Sequence, residues 1–207
     1  GEIAQLLEMN GTAWMHQVHG DTILRVNGAG IAGEADGLIT DVVGLLIAGR
    51  SADCPIILVA GRRSDGSPVV GVVHASWRST VKNITTKLIR KLRDEWDVLP
   101  ESLHAAVAPS AGPCCYEVGG EVRDQALKEL GPAADSFFAR RDEGWMFDLW
   151  AANIHQLNQA GVPEHQIENC RICTICQGGA FWSWRDQGEL AGRFAGVIGI
   201  KASANHP

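Results

Sequence analysis

From residue 13 to residue 74 the chain is a succession of short apolar runs rich in β-branched residues, and from Val81 onward the spacing of its apolar residues changes. The runs at 13–18, 22–26, 42–48, 55–59 and 69–74 are bounded by Gly, Asp and Ser and have the length and composition of strands. Val81, Ile84, Leu88 and Leu92 then recur every three or four residues. Lys82, Lys87, Arg90, Lys91 and Arg93 occupy the other faces, which is the pattern of an amphipathic helix. Residues 103–108 read as a further buried strand, 121–130 as a helix stopped by Gly131-Pro132, and 196–200 as a closing strand. Asp148 is placed to cap a helix running to Ala160, with Trp150, Ile154 and Leu157 on one face and Gly161 beyond its end. Strands and helices interleave unevenly. The expected class is α/β, bordering on α+β, with mixed β-sheets layered with flanking helices in an α/β/β/α-like order.

No repeat, low-complexity tract or linker divides the chain, and 207 residues suffice for one core, so a single domain over 1–207 is expected. Ile3, Leu6 and Leu7 read as a helix or its end, as though a preceding segment were missing. The net charge of −6 is spread along the length, without the basic stripe that nucleic-acid binding needs. No apolar run is long enough to span a membrane, and the opening GEIAQLLEMN lacks the pattern of a signal peptide. Of the six cysteines, two are adjacent (Cys114, Cys115) and three cluster at Cys170, Cys173 and Cys176. Such clustering without a secretion signal reads as reduced thiols in the cytoplasm.

Three segments carry residues able to do chemistry. In Trp14-Met15-His16-Gln17-Val18-His19-Gly20, a continuous strand would point His16 and His19 to opposite faces, so only one could reach a given site. Cys54, in Ser51-Ala52-Asp53-Cys54-Pro55, is either a small core residue or a thiolate activated by a metal or cation. Asp53 beside it would orient a ligand or a loop. His74 ends the apolar run 69–74. Arg78 follows near a helix start, where a guanidinium and free amides could hold an anion, or where it could simply form a surface ion pair. Two histidines and one cysteine match the three-ligand pattern of a catalytic zinc with an open fourth position. On the residues alone, that reading and the inert one balance.

The motifs His16-Gln17-Val18-His19-Gly20, Ala35-Asp36-Gly37, Ala52-Asp53-Cys54-Pro55, Val73-His74-Ala75-Ser76-Trp77-Arg78 and Gly112-Pro113-Cys114-Cys115-Tyr116-Glu117-Val118-Gly119 stand in a fixed order. Cys173-Thr174, Phe181-Trp182-Ser183-Trp184-Arg185 and Gly192-Arg193 come after them. In this order they resemble the laccase-domain (YfiH-like) family, also called the purine nucleoside phosphorylase or polyphenol oxidase family, over about residues 13 to 200. The resemblance implies a zinc held by His19, Cys54 and His74, which would also be the catalytic residues. It implies phosphorolysis of adenosine, inosine, guanosine and methylthioadenosine, which transfers a glycosyl group to phosphate, and hydrolytic deamination of adenosine. Arg78, with Arg185 or Arg193, would hold phosphate, and Gln17 and Asp53 would support the ligands. The partners are then purine nucleosides and phosphate, with no nucleic acid and no membrane, and the protein a monomer or homodimer.

Two departures stand out. The family's usual Gly-Trp-Arg-Gly is Ser76-Trp77-Arg78-Ser79 here, and its amino-terminal arginine-bearing motif is absent. Cys170-x-x-Cys173-x-x-Cys176 has the look of a metal motif but lacks a fourth ligand at conventional spacing, so packed thiols without metal or disulfide are expected, although Cys114 or Cys115 could supply a ligand in space. Two other functions fit the same residues. Copper at the same ligands would make a polyphenol oxidase, although one His2Cys set lacks the several centres that four-electron oxygen reduction needs. Cys54 with a histidine base and no metal would make a hydrolase or deamidase.

Overall fold

A computed structural model describes residues 2–202. In chain order the elements are α1 (Glu2–Leu6), β1 (Gly11–His16), β2 (Ile23–Arg25), β3 (Gly30–Glu34), β4 (Gly37–Thr40), β5 (Leu45–Ser51), β6 (Ile56–Arg62), β7 (Pro68–His74), α2 (Trp77–Val81) and α3 (Ile84–Trp96). Then come β8 (His104–Val107), β9 (Glu117–Val118), α4 (Gly120–Leu130), β10 (Phe138–Arg141), β11 (Gly144–Phe147), α5 (Leu149–Gln159), β12 (Ile167–Asn169), α6 (Trp184–Gln187) and β13 (Phe194–Gly199).

The strands form a six-stranded sheet in the order β12-β8-β6-β7-β4-β2, a four-stranded sheet β13-β5-β1-β3 and a small sheet β10-β11-β9. The two larger sheets are mixed. β1 pairs in parallel with β3 and β5, while β13 runs antiparallel to β5. In the larger sheet β6 and β7 are antiparallel, and the edge strands β2 and β12 join their neighbours in parallel.

β7 explains the layering. Val69 and Val73 pack with Leu88, Ile89 and Leu92 of α3 and with Leu157 of α5. Val70 and Val72 instead meet Met15 of β1 and Ile47 of β5. Alternate side chains of a strand point to opposite faces, so apolar residues at successive positions are what a strand buried on both sides requires. Gly71 interrupts the run because a Cβ there would lie 2.7 Å from Leu88 Cδ1, and its bareness lets α3 lie close on the sheet. The order is therefore four-stranded sheet, six-stranded sheet, helices α3 and α5. The five-residue α1 and the turn after it cover part of the four-stranded sheet, Ala4 and Met9 packing with Leu46 of β5. α4, the β10–β11 hairpin and the start of α5 enclose a further core around Phe138 and Phe147.

Some boundaries differ from the sequence expectation. The helix expected from Val81 is two helices, because Asn83 adopts a left-handed conformation (φ 61°) between α2 and α3, and apolar spacing does not report such a break. The strand expected at 42–48 begins at Leu45, after Gly44 turns the chain at φ +83°. β3 (GIAGE) has almost no β-branched residues, and its pairing with β1 holds it in the sheet. Asp148 does cap α5, accepting the Ala151 N–H at 2.9 Å. No helix among the described residues is long and apolar enough to cross a membrane.

Candidate metal centre

β1 ends at His16, β5 at Ser51 and β7 at His74, and the chain converges in space around these three ends. His19, Cys54 and His74 each offer a donor atom, and the three atoms lie within 4.8 Å of one another. The two imidazole rings are 5.0 Å apart and nearly perpendicular. His16 and His19 do not obey strand alternation, because the chain leaves β1 at His16 and His19 takes φ 57°. Both line the same cavity, and only His19 joins Cys54 and His74.

A single carboxylate positions two of the three donors. Asp36, between β3 and β4, is fully buried. Its Oδ2 accepts the N–H groups of Val18 at 3.1 Å and Gly20 at 2.6 Å, and its Oδ1 accepts that of His19 at 3.1 Å. The same Oδ1 is 2.8 Å from His74 Nδ1. A buried charge needs such partners. Burial pushes the Asp36 carboxyl up, but the His74 and Gly20 hydrogen bonds outweigh it and hold it below the usual carboxylate range. With Nδ1 engaged by Asp36, His74 is left with Nε2 for the centre.

Burial likewise opposes charge on Cys54, yet hydrogen bonds from His19 and then His74 bring its thiol down to about 7. His74 is lowered by burial and raised more strongly by Asp36 and Cys54, reaching about 9. Without a metal these shifts favour a thiolate at Cys54 beside a protonated His74. The donor set also fits a tetrahedral cation. Zinc bonds of ordinary length would place sulfur and nitrogen about 3.5 Å apart, within reach of small side-chain movements from the observed spread. Two neutral nitrogens and one thiolate would leave the fourth position facing the cavity.

That cavity has a volume of about 850 Å³ and is lined by His16, Gln17, His19, Asp53, Cys54, His74, Ser76, Trp77, Arg78, Tyr116, Trp184, Arg185 and Arg193, among others. Arg78 stands exposed against the Trp77 ring and makes no ion pair among the described residues. Arg185 donates to the Glu117 carbonyl at 2.7 Å and lies over Tyr116. Arg193 donates to the carbonyls of Ala191 and Gly192 and lies over Trp184. Gln17 and Asp53 do not touch the three donors through the hydrogen bonds they make. Gln17 pairs through its amide with the backbone of Arg50, donating at 2.7 Å and accepting at 2.8 Å. Asp53 accepts from Thr174 Oγ1 and from the Arg185 N–H, both at 2.7 Å, and so fastens two later loops beside Cys54. Ser76 and Ser79, which replace glycines of the resembled motif, are buried, and their hydroxyls lie 2.7 Å apart. Ser76 Oγ also accepts the Ser79 N–H and caps α2, so that amide is not free for an anion.

Sequence reasoning assigned no role to Asp36, Tyr116 or Trp184. Burial and the nearby negative charge of Cys54 keep Tyr116 a neutral phenol. The only sign of Asp36 was the short motif Ala35-Asp36-Gly37, and its partner His74 is 38 positions away. Cys114 and Cys115 come within 4.8 Å of Cys173 and Cys176, so the sulfurs that spacing alone could not supply arrive in space, and Cys170 stands outside the group.

Residues 2–201 match a family model described as multi-copper polyphenol oxidoreductase laccase. A protein of Xylella fastidiosa named purine nucleoside phosphorylase is 36% identical, the match covering 95% of this chain and 76% of that protein. Purine nucleoside phosphorylase YlmD of Geobacillus stearothermophilus is 35% identical, covering 88% of this chain and 70% of YlmD. A crystal structure of YlmD from that organism superposes with a TM-score of 0.87 at 29% identity, over 97% of this chain and 78% of that one. The crystal structure of Bacillus licheniformis hypothetical protein YfiH gives 0.88 at 27% identity, over 97% and 79%.

Proposed function

Since the chain belongs to the multi-copper polyphenol oxidoreductase laccase family, we propose that it is a zinc-dependent purine nucleoside phosphorylase that also deaminates adenosine. The observation that carries this reading is the meeting of His19, Cys54 and His74, two of them held by Asp36, at the wall of a cavity that also receives Arg78, Arg185 and Arg193. The names of the relatives supply the reaction class.

When bound, zinc would supply a Lewis acid at the open fourth position. His19, Cys54 and His74 would hold it, and Asp36 would keep the His74 proton on Nδ1, so that Nε2 stays a free donor. Arg78, which has no ion-pair partner among the described residues, supplies a guanidinium for phosphate, while Arg185 and Arg193 add positive potential from more fixed positions. Trp77 and Trp184 offer flat faces for a purine. In phosphorolysis a phosphate oxygen bonds to ribose C1′ as the bond from C1′ to purine N9 breaks, and the arginines hold the nucleophile in place while charge develops on the sugar.

A metal-free Cys–His hydrolase is the second reading, supported by the lowered Cys54 thiol beside two imidazoles. Copper-dependent oxidation is less well supported, because the two donor groups among the described residues are one His2Cys set and one all-sulfur set. Adenosine with phosphate should yield adenine and ribose 1-phosphate, and adenosine without phosphate should yield inosine, both resolved by chromatography. His74→Ala should abolish both together with the bound zinc. No turnover of any purine nucleoside by the zinc-loaded protein would overturn the assignment. Activity that survives chelation but not alkylation of Cys54 would favour the second reading.

A further inference from the structure

We propose that Cys114, Cys115, Cys173 and Cys176 form a second metal site, a tetrathiolate that takes zinc and ties a cavity-lining loop to a loop that supports it. The four sulfurs lie within 4.8 Å of one another. Cys176 Sγ is 3.4 Å from Cys114 Sγ and 3.3 Å from Cys115 Sγ. A tetrahedral zinc with four thiolates sets its sulfurs about 3.8 Å apart, so a central cation needs only a slight spreading of this cluster. Without a cation, four thiols crowded together gain little, and as thiolates they would repel one another.

The backbone around Cys173 is arranged for a thiolate. Its Sγ accepts the N–H of Gly112 at 3.3 Å. An amide donated to a sulfur stabilises the anion that a metal binds. Arg141, which donates to the Cys114 carbonyl at 2.9 Å, places positive charge beside the excess negative charge of a tetrathiolate.

One loop lines the cavity, and the other holds a residue of its wall. Tyr116 follows Cys115 and lines the cavity, and Thr174 follows Cys173 and donates to Asp53. Cys173 itself is bridged to Ser110. A cation at the four sulfurs would therefore brace Tyr116 and the Asp53–Thr174–Arg185 junction without touching substrate.

The test uses the full chain, loaded with zinc under reducing conditions and freed of excess, with zinc per chain measured by mass spectrometry. Cys176→Ser should lose one equivalent relative to the unmodified chain, and Cys54→Ser a different one. Zinc unchanged in Cys176→Ser but lost in Cys54→Ser would overturn this proposal and leave the functional reading standing. The reverse pattern would overturn the functional reading alone. Because a substitution in this loop can disturb folding, cobalt(II) is also titrated into the Cys54→Ser chain, whose four clustered cysteines are intact. Strong thiolate-to-cobalt charge transfer with tetrahedral visible bands is the expected spectrum. A weak octahedral spectrum, or no metal uptake by the fully reduced chain, would refute the site.

Discussion

Replacing Asp36 by Asn removes one charge and exchanges one acceptor for a donor at the point where the His19 loop and the His74 ring are held. If the amide oxygen takes the Oδ2 position, it keeps the N–H groups of Val18 and Gly20. The new NH2 group then faces the His19 N–H, donor against donor, and can serve His74 only by donating to Nδ1. The reverse orientation orphans two amides instead of one and is the costlier of the two. In the favoured orientation the His74 proton moves to Nε2, the atom the centre requires bare. An orphaned amide costs about 1–3 kcal/mol and a lost charge-assisted bond about 1.5–3 kcal/mol, so a stability loss on the order of 3 kcal/mol is expected. Zinc affinity should fall about 10- to 100-fold, as for other residues that orient a ligand. Urea unfolding of the metal-free chain gives the first quantity. Competition with a chromophoric chelator, referred to the Cys54→Ser chain, gives the second. Unfolding that shifts as expected while zinc affinity stays within about threefold of the unmodified chain would refute the tautomer argument and leave Asp36 as a brace for the loop only.

Arg78→Ala should slow phosphorolysis about 10- to 100-fold, the worth of one hydrogen-bonded charge, and leave deamination nearly unchanged, since only the first reaction holds phosphate. Equal loss of adenine and inosine in the product assay would contradict that role. In the metal-stripped chain, alkylation of Cys54 should rise with pH through a midpoint near 7, because the thiolate is the reacting form and its imidazole neighbours stabilise it. His74→Gln should move that midpoint up toward the ordinary cysteine value of about 8.5, read by peptide mass spectrometry, and an unmoved midpoint would show that His74 does not set it. Gly71→Ala should destabilise the chain by about 1–3 kcal/mol in urea unfolding, because the added Cβ meets Leu88 under α3. A neutral result would mean that α3 shifts freely on the sheet.

The parts of this protein that were legible in the sequence are those governed by local pattern. The valine run of β7, the apolar stripe of α3 and the Asp148 cap of α5 each depend on neighbours within one element, so spacing alone located them. The ordered motifs named the family and singled out His19, Cys54 and His74, yet the residues by themselves left inert and metal-binding readings in balance. What only the tertiary structure decided are contacts between distant segments. Parallel pairing of β1 with β5 sets the loops of His19 and Cys54 side by side, and antiparallel pairing of β6 with β7 brings His74 alongside Ile56, just beyond Cys54. Asp36 was invisible as an orienting group because its task is to face both the chain after β1 and the end of β7. The resemblance implied that Gln17 and Asp53 support the ligands, and Asp53 was also read as able to orient a loop. Gln17 holds the Arg50 backbone, and Asp53, at φ 95°, holds Thr174 Oγ1 and the Arg185 N–H, partners that residue type does not announce. The four sulfurs at Cys114, Cys115, Cys173 and Cys176 meet for the same reason. Their separation of about sixty residues along the chain closes only when Ser110 pairs with Cys173, and a ligand set assembled across such a span has no spacing to read.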